Sequence, residues 1–136
     1  MQERQAHFSL SKVAKHDGDV DAYVTHLEKV MEISKRIHGD SAREVMSVKN
    51  KVEEAKGKAE EIKTYREALK EQQKGSEDWA QTMHDLAMAF CEADMYSKGL
   101  EIAKEARKQI ADNMEIAQDL DILIEHATTE INDGNL

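Results

Sequence analysis

Hydrophobic and small residues return along this chain at a constant offset of 38 positions. Leu10, Val48 and Leu86 make one set, and Ala14, Val52 and Phe90 a second. Val30, Ala68 and Ala106 make a third, Leu27, Tyr65 and Ala103 a fourth, and Tyr23, Glu61 and Gly99 a weaker fifth. Between repeats the local pattern is helical: Tyr23, Leu27, Val30, Met31 and Ser34 follow the steps that turn one stripe of a helix toward a core. A fixed period of this length is the mark of stacked helical hairpins, because no hairpin buries its apolar stripe alone and each walls its neighbour.

Breakers and caps divide the pattern into seven predicted helices. The first covers about residues 2–16, with Phe8, Leu10, Val13 and Ala14 as its apolar face, and Asp17, Gly18 and Asp19 break it. The second covers about 19–37 and is stopped by Gly39, a residue suited to the C-terminal turn. Ser41 and Glu44 match a capping box and open the third, whose face is Val45, Val48, Val52 and Ala55. A fourth carries Ile62, Tyr65, Ala68 and Leu69 and stops at Lys74 and Gly75. Only Gly57 marks the break between third and fourth, and the same apolar positions also fit one long coiled-coil-like helix. The 38-residue offset favours the hairpin, since Lys56 falls midway between Gly18 and Asp94.

The third period is the clearest. A fifth helix over about 77–92 carries Trp79, Met83, Leu86, Ala87 and Phe90, and a sixth presents Gly99, Ile102, Ala103, Ala106 and Ile110. Asp112 and Glu115 open a seventh, whose Ile116, Leu120, Leu123, Ile124, Ala127 and Ile131 cap the stack, with residues 133–136 as a frayed tail.

Composition agrees with an all-α reading. The 136 residues include no proline and only 4% aromatics, and helix formers dominate. The formal net charge of -9 disfavours nucleic acid and anionic membrane as partners and suits basic ones. No apolar run approaches the ~20 residues that span a bilayer, and no secretory leader pattern opens the chain, so a cytoplasmic protein is expected. The lone Cys91 lies in an apolar stretch and reads as a packed or half-exposed thiol rather than a nucleophile.

The third hairpin resembles a tetratricopeptide repeat. Met83, Leu86, Ala87 and Phe90, then Tyr96, Gly99, Ala103 and Ala106, follow the large, small and aromatic order of that family's two-helix consensus. The longer period, with Gly39-Asp40 and Gly75-Ser76-Glu77-Asp78 before new hairpins, is similar to the repeats of kinesin light chains. The resemblance implies an α-solenoid with hairpins over about 4–39, 42–75 and 80–113 and a capping helix over about 113–132. It further implies that the first helix of each hairpin lines a groove for a peptide or helix of a partner protein. Carried onto this chain, that groove is Gln5, Phe8, Lys12 and Lys15, then Arg43, Met46 and Asn50, then Gln81, His84 and Met88. Transport, cytoskeletal or ciliary assemblies follow from the resemblance alone.

Rival chemistry is sparse. Asp17, Asp19, Asp21, Thr25 and Glu28 stand at ligand places of a calcium-binding EF-hand loop, but Ala22 occupies the glycine position. The six histidines form no pair at the four-residue spacing of a helical metal site. Glu53, Glu54, Glu60 and Glu61 alternate with lysines as a solvated face does. The sequence therefore predicts a non-enzymatic protein-interaction module with no cofactor and no metal, and with self-association left open. The alternative is a helical-bundle or coiled-coil oligomerisation domain built on residues 41–73, and the minor alternative is calcium binding through residues 17–28.

Overall fold

The computed structural model describes residues 2–39 and 43–134, and these form six α-helices without a strand. In chain order they are α1 (Gln2–Asp17), α2 (Val20–His38), α3 (Arg43–Glu71), α4 (Glu77–Glu92), α5 (Tyr96–Lys108) and α6 (Glu115–Gly134). The chain divides into two compact units, Met1–Ala59 and Glu60–Leu136, with α3 contributing residues to both.

The predicted fourth helix does not exist as a separate element. α3 runs unbroken through Gly57 for 29 residues, so the expected hairpin over 42–75 is one helix and the seven predicted helices become six. The physical reason is plain at the position where a turn was expected. Both observed hairpin turns contain a residue in the left-handed region, Gly18 (φ 74°) and Asp94 (φ 61°), two periods apart. Midway between them stands Lys56, flanked by strong helix formers, and a single neighbouring glycine costs a helix only ~1 kcal/mol.

Those two turns are the same structure. After α1 the amide of Asp19 donates to the Ala14 carbonyl at 2.8 Å and that of Gly18 to Lys15 at 3.2 Å. After α4 the amide of Met95 donates to Phe90 at 2.8 Å and that of Asp94 to Cys91 at 2.9 Å. Each pair spends amides just past the helix on its last free carbonyls, the bonding of a Schellman end. The next helix then starts at once, with Tyr23 donating to Asp19 and Gly99 to Met95, both at 3.0 Å.

In the first unit, α1 and α2 form a hairpin against the first part of α3. Val24, Leu27 and Val30 of α2 share one core cluster with Val48, Val52 and Ala55 of α3, and Phe8, Tyr23, Met31 and Ala59 pack against it. Buried Ser34 is satisfied by the Arg4 guanidinium, whose Nε donates to its Oγ at 2.9 Å, and Ser11 Oγ donates to the Phe8 carbonyl at 2.7 Å. The predicted apolar face of α1 needs correction: Ala14 is buried, but Leu10 and Val13 are 46% and 56% exposed.

In the second unit, α4 and α5 form a hairpin and α6 packs on both. Trp79, Met83, Leu86 and Phe90 of α4, Ile102, Ala103 and Ala106 of α5, and Ile116, Leu120, Leu123 and Ala127 of α6 are buried. Ser76 caps α4 by accepting from the Trp79 amide at 3.2 Å. Small residues set the hairpin's spacing, Gly99 of α5 lying directly against α4. Arg107 ties the end of α5 to α6, its Nε donating to Asp121 and its Nη2 to Asp112, each at 2.9 Å. Asp112 is thus a ligand of Arg107 rather than the start of the last helix, which begins at Glu115 and continues through Gly134, two residues into the expected tail.

Candidate functional site

The groove positions expected from the resemblance fall on α1, α3 and α4. In the first unit, Gln5 and Lys12 of α1 are exposed, as are Arg43, Met46 and Asn50 of α3. Arg43, Met46 and Asn50 stand three and four residues apart, so they share one helix face, and the buried Val45, Val48 and Val52 take the other. Phe8 is half-buried against the core, with the Arg4 guanidinium 5.5 Å and the Lys51 ammonium 5.9 Å from its ring centroid. Lys51 of α3 thus reaches the Phe8 ring of α1. Lys15 lies 5.8 Å from the Tyr23 ring centroid, so its stem covers the α1–α2 seam.

In the second unit, Gln81, His84 and Met88 share one face of α4. Gln81 Nε2 donates to Asp85 Oδ1 at 3.1 Å, while His84 Nδ1 lies 3.5 Å from that same oxygen, outside hydrogen-bonding reach. His84 Nδ1 is buried without a hydrogen-bond partner. Two large apolar side chains of the expected set stand open to solvent, Met46 at 47% and Met88 at 39%.

A shallow cavity of about 420 Å³ also lies in the second unit, lined by Met83, Ile102, Glu101, Lys104, Glu105 and Lys108. Its floor is apolar and its rim carries both charges, with Lys74 pairing to Glu105 at 3.9 Å. The sequence reading missed it because its walls come from Met83 on α4 and from one face of α5, far apart in the chain.

Rival chemistry loses its geometry. Residues 20–28 of the would-be calcium loop lie within α2, and Asp19 Oδ1 accepts from the Ala22 amide at 3.0 Å as that helix's N-cap. A helix cannot wrap ligands around a cation as the loop does, so the minor calcium alternative is withdrawn. Among the described residues no three histidine, cysteine or acidic side chains gather as a metal group. The fold does bring together two histidines that the sequence spacing kept apart: His7 Nδ1 and His26 Nδ1 are 3.2 Å apart across the α1–α2 seam. Among the described residues no helix is long and apolar enough to cross a membrane. The predicted capping box begins at Ser41, outside the described residues; Glu44 lies in the first turn of α3.

Comparison with known proteins adds no relative: no family model, no curated protein and no solved structure matches this chain.

Proposed function

We propose that this chain is a non-enzymatic protein-interaction module, a tetratricopeptide-like stack whose first helices hold a peptide or helix of a partner protein. The observation that carries the reading is the exposure of Met46 and Met88 on helices that bury Val45, Val48 and Val52, and Met83, Leu86 and Phe90, on other faces. A soft, flexible thioether standing in solvent among polar neighbours suits a surface that accepts varied side chains. The partner's chemistry follows from the charges: Arg43 favours a carboxylate on the helix face it shares with Met46, while the net charge of -9 favours a basic partner at longer range. The setting we propose is cytoplasmic, on a cytoskeletal or ciliary scaffold.

Capture of partners from a cell extract by the native chain and by Lys12→Glu, Arg43→Glu and Met88→Glu variants tests this. Loss of a shared partner in the variants supports the groove; retention of every partner by all three overturns it.

The continuity of α3 favours a second reading, oligomerisation through that helix. It needs Val48, Val52 and Ile62 at a seam between chains, yet these are only 4%, 2% and 1% exposed within one chain. Polar residues at the three positions therefore unfold the chain under the first reading and dissociate a folded oligomer under the second.

A further inference from the structure

Sequence spacing gives no histidine pair on any one helix, but the fold makes one from two helices. His7 of α1 and His26 of α2, 19 positions apart, place their Nδ1 atoms 3.2 Å from each other across the hairpin seam. Two nitrogens that share one ion at roughly 2.0–2.1 Å lie about 2.8–3.4 Å apart, from octahedral to tetrahedral angles, so the hairpin already sets the bite that a transition metal needs. The ring centroids are 5.5 Å apart at an interplanar angle of 33°, so the two nitrogens face each other nearly head-on, as in an N–H···N bond. Turning each ring by about 40° aims both lone pairs at one point beside that line, and the broad χ2 well of histidine makes such a turn cheap.

Both rings are half-buried, within reach of solvent and of an ion it carries. The cations one turn away are committed elsewhere: Arg4 Nε donates to Ser34 and Lys29 pairs with Glu32 at 3.7 Å. We propose that His7 and His26 together hold a divalent transition metal of the zinc class, each through Nδ1, and that the ion clamps α1 to α2. Imidazole nitrogen selects zinc, nickel or copper over magnesium or calcium, which prefer oxygen. Among the described residues no third histidine, cysteine or carboxylate completes the set, so water takes the remaining positions and the ion exchanges readily. Unfolding separates the two helices and with them the ligands, so a bound ion stabilises the folded chain.

Zinc titration of the full chain by calorimetry, with thermal melts beside it, tests the proposal. The native chain is expected to take up one zinc ion at micromolar to sub-millimolar concentration and to melt higher as zinc is added. His7→Asn and His26→Asn, checked for native melts without metal, are each expected to bind at least about tenfold more weakly and to lose the melting shift. His38→Asn and Cys91→Ala, which leave the pair intact, are expected to keep both. In NMR spectra of the native chain the ring signals of His7 and His26 are expected to move together and before those of the other four histidines, a readout that needs no variant. No uptake up to millimolar zinc overturns the proposal. So does undiminished binding by folded His7→Asn and His26→Asn variants, and so does zinc that moves another histidine first or that is lost with Cys91→Ala.

Discussion

A β-carbon placed on Gly99 would lie 2.6 Å from the sulfur of Cys91 and 2.9 Å from the carbonyl oxygen of Ala87. Real β-carbons do not approach so closely, so α4 and α5 touch at this point only because residue 99 has no side chain. Gly99→Ala is expected to destabilise the chain by about 1–3 kcal/mol through overpacking, outweighing the ~1 kcal/mol that alanine gains in helix propensity. Urea unfolding would show a lower midpoint at unchanged slope. Adding Cys91→Ala is expected to restore part of the loss, because the backbone contact with Ala87 remains.

Gly57 predicts the reverse. It lies within α3 with nothing inside 4 Å of a would-be β-carbon. Gly57→Ala is expected to stabilise the chain by about 0.5–1 kcal/mol, seen as a higher melting temperature. A loss of stability would instead point to a turn at residue 57.

Repeat position 10 and its equivalent 86 hold the same residue type in different surroundings. Leu86→Ala removes a side chain that is 4% exposed and is expected to cost about 2–5 kcal/mol, whereas Leu10→Ala, at 46% exposure, is expected to cost under about 0.5 kcal/mol. Paired denaturation curves measure the contrast directly.

Burial, with Glu92 adding to it, pushes the Cys91 thiol up to about 11 from an ordinary value of 9.0. Below 9 the thiol is neutral in both folded and unfolded chains, and its contribution to stability is fully present. As pH rises from 9 through 11 the unfolded thiol ionises first, so that contribution is lost, by up to about 2 kcal/mol. Tyr96, raised chiefly by its own burial, titrates upward of its usual range too, so the informative quantity is a difference. The stability gap between the native chain and Cys91→Ala is expected to shrink over this alkaline window, and thiol reagents are expected to label Cys91 only as the fold opens.

Much of this architecture was legible before any coordinates. The periodicity located Ala14, Leu27, Val30, Phe90, Ala103 and Ala106 in the core, and the turns at Gly18 and Asp94 were readable from their spacing. Periodicity alone does not fix a turn or a covered face. A repeat in composition implied a third turn at Lys56, but a turn needs a residue that tolerates the left-handed region, and lysine beside a single glycine does not override the helix around it. Leu10 and Val13 read as core positions and are not, because periodicity reports which face is apolar, not whether anything covers it. The meeting of His7 and His26 depends on the pairing of α1 with α2, a relation that local spacing does not encode. Lys51 beside Phe8 and the cavity under Glu105 belong to the same class of long-range facts.

The unbroken passage of α3 from one compact unit to the other also governs how the protein can be dissected. A boundary drawn after Ala59 follows the clustering of contacts, yet it severs a helix in mid-course. Eight backbone groups that now bond along its axis, four carbonyls on one side and four amides on the other, would be left facing water at the new ends. Fragments meant to stand alone should therefore keep the whole of α3, because a cut in its middle frays both new ends.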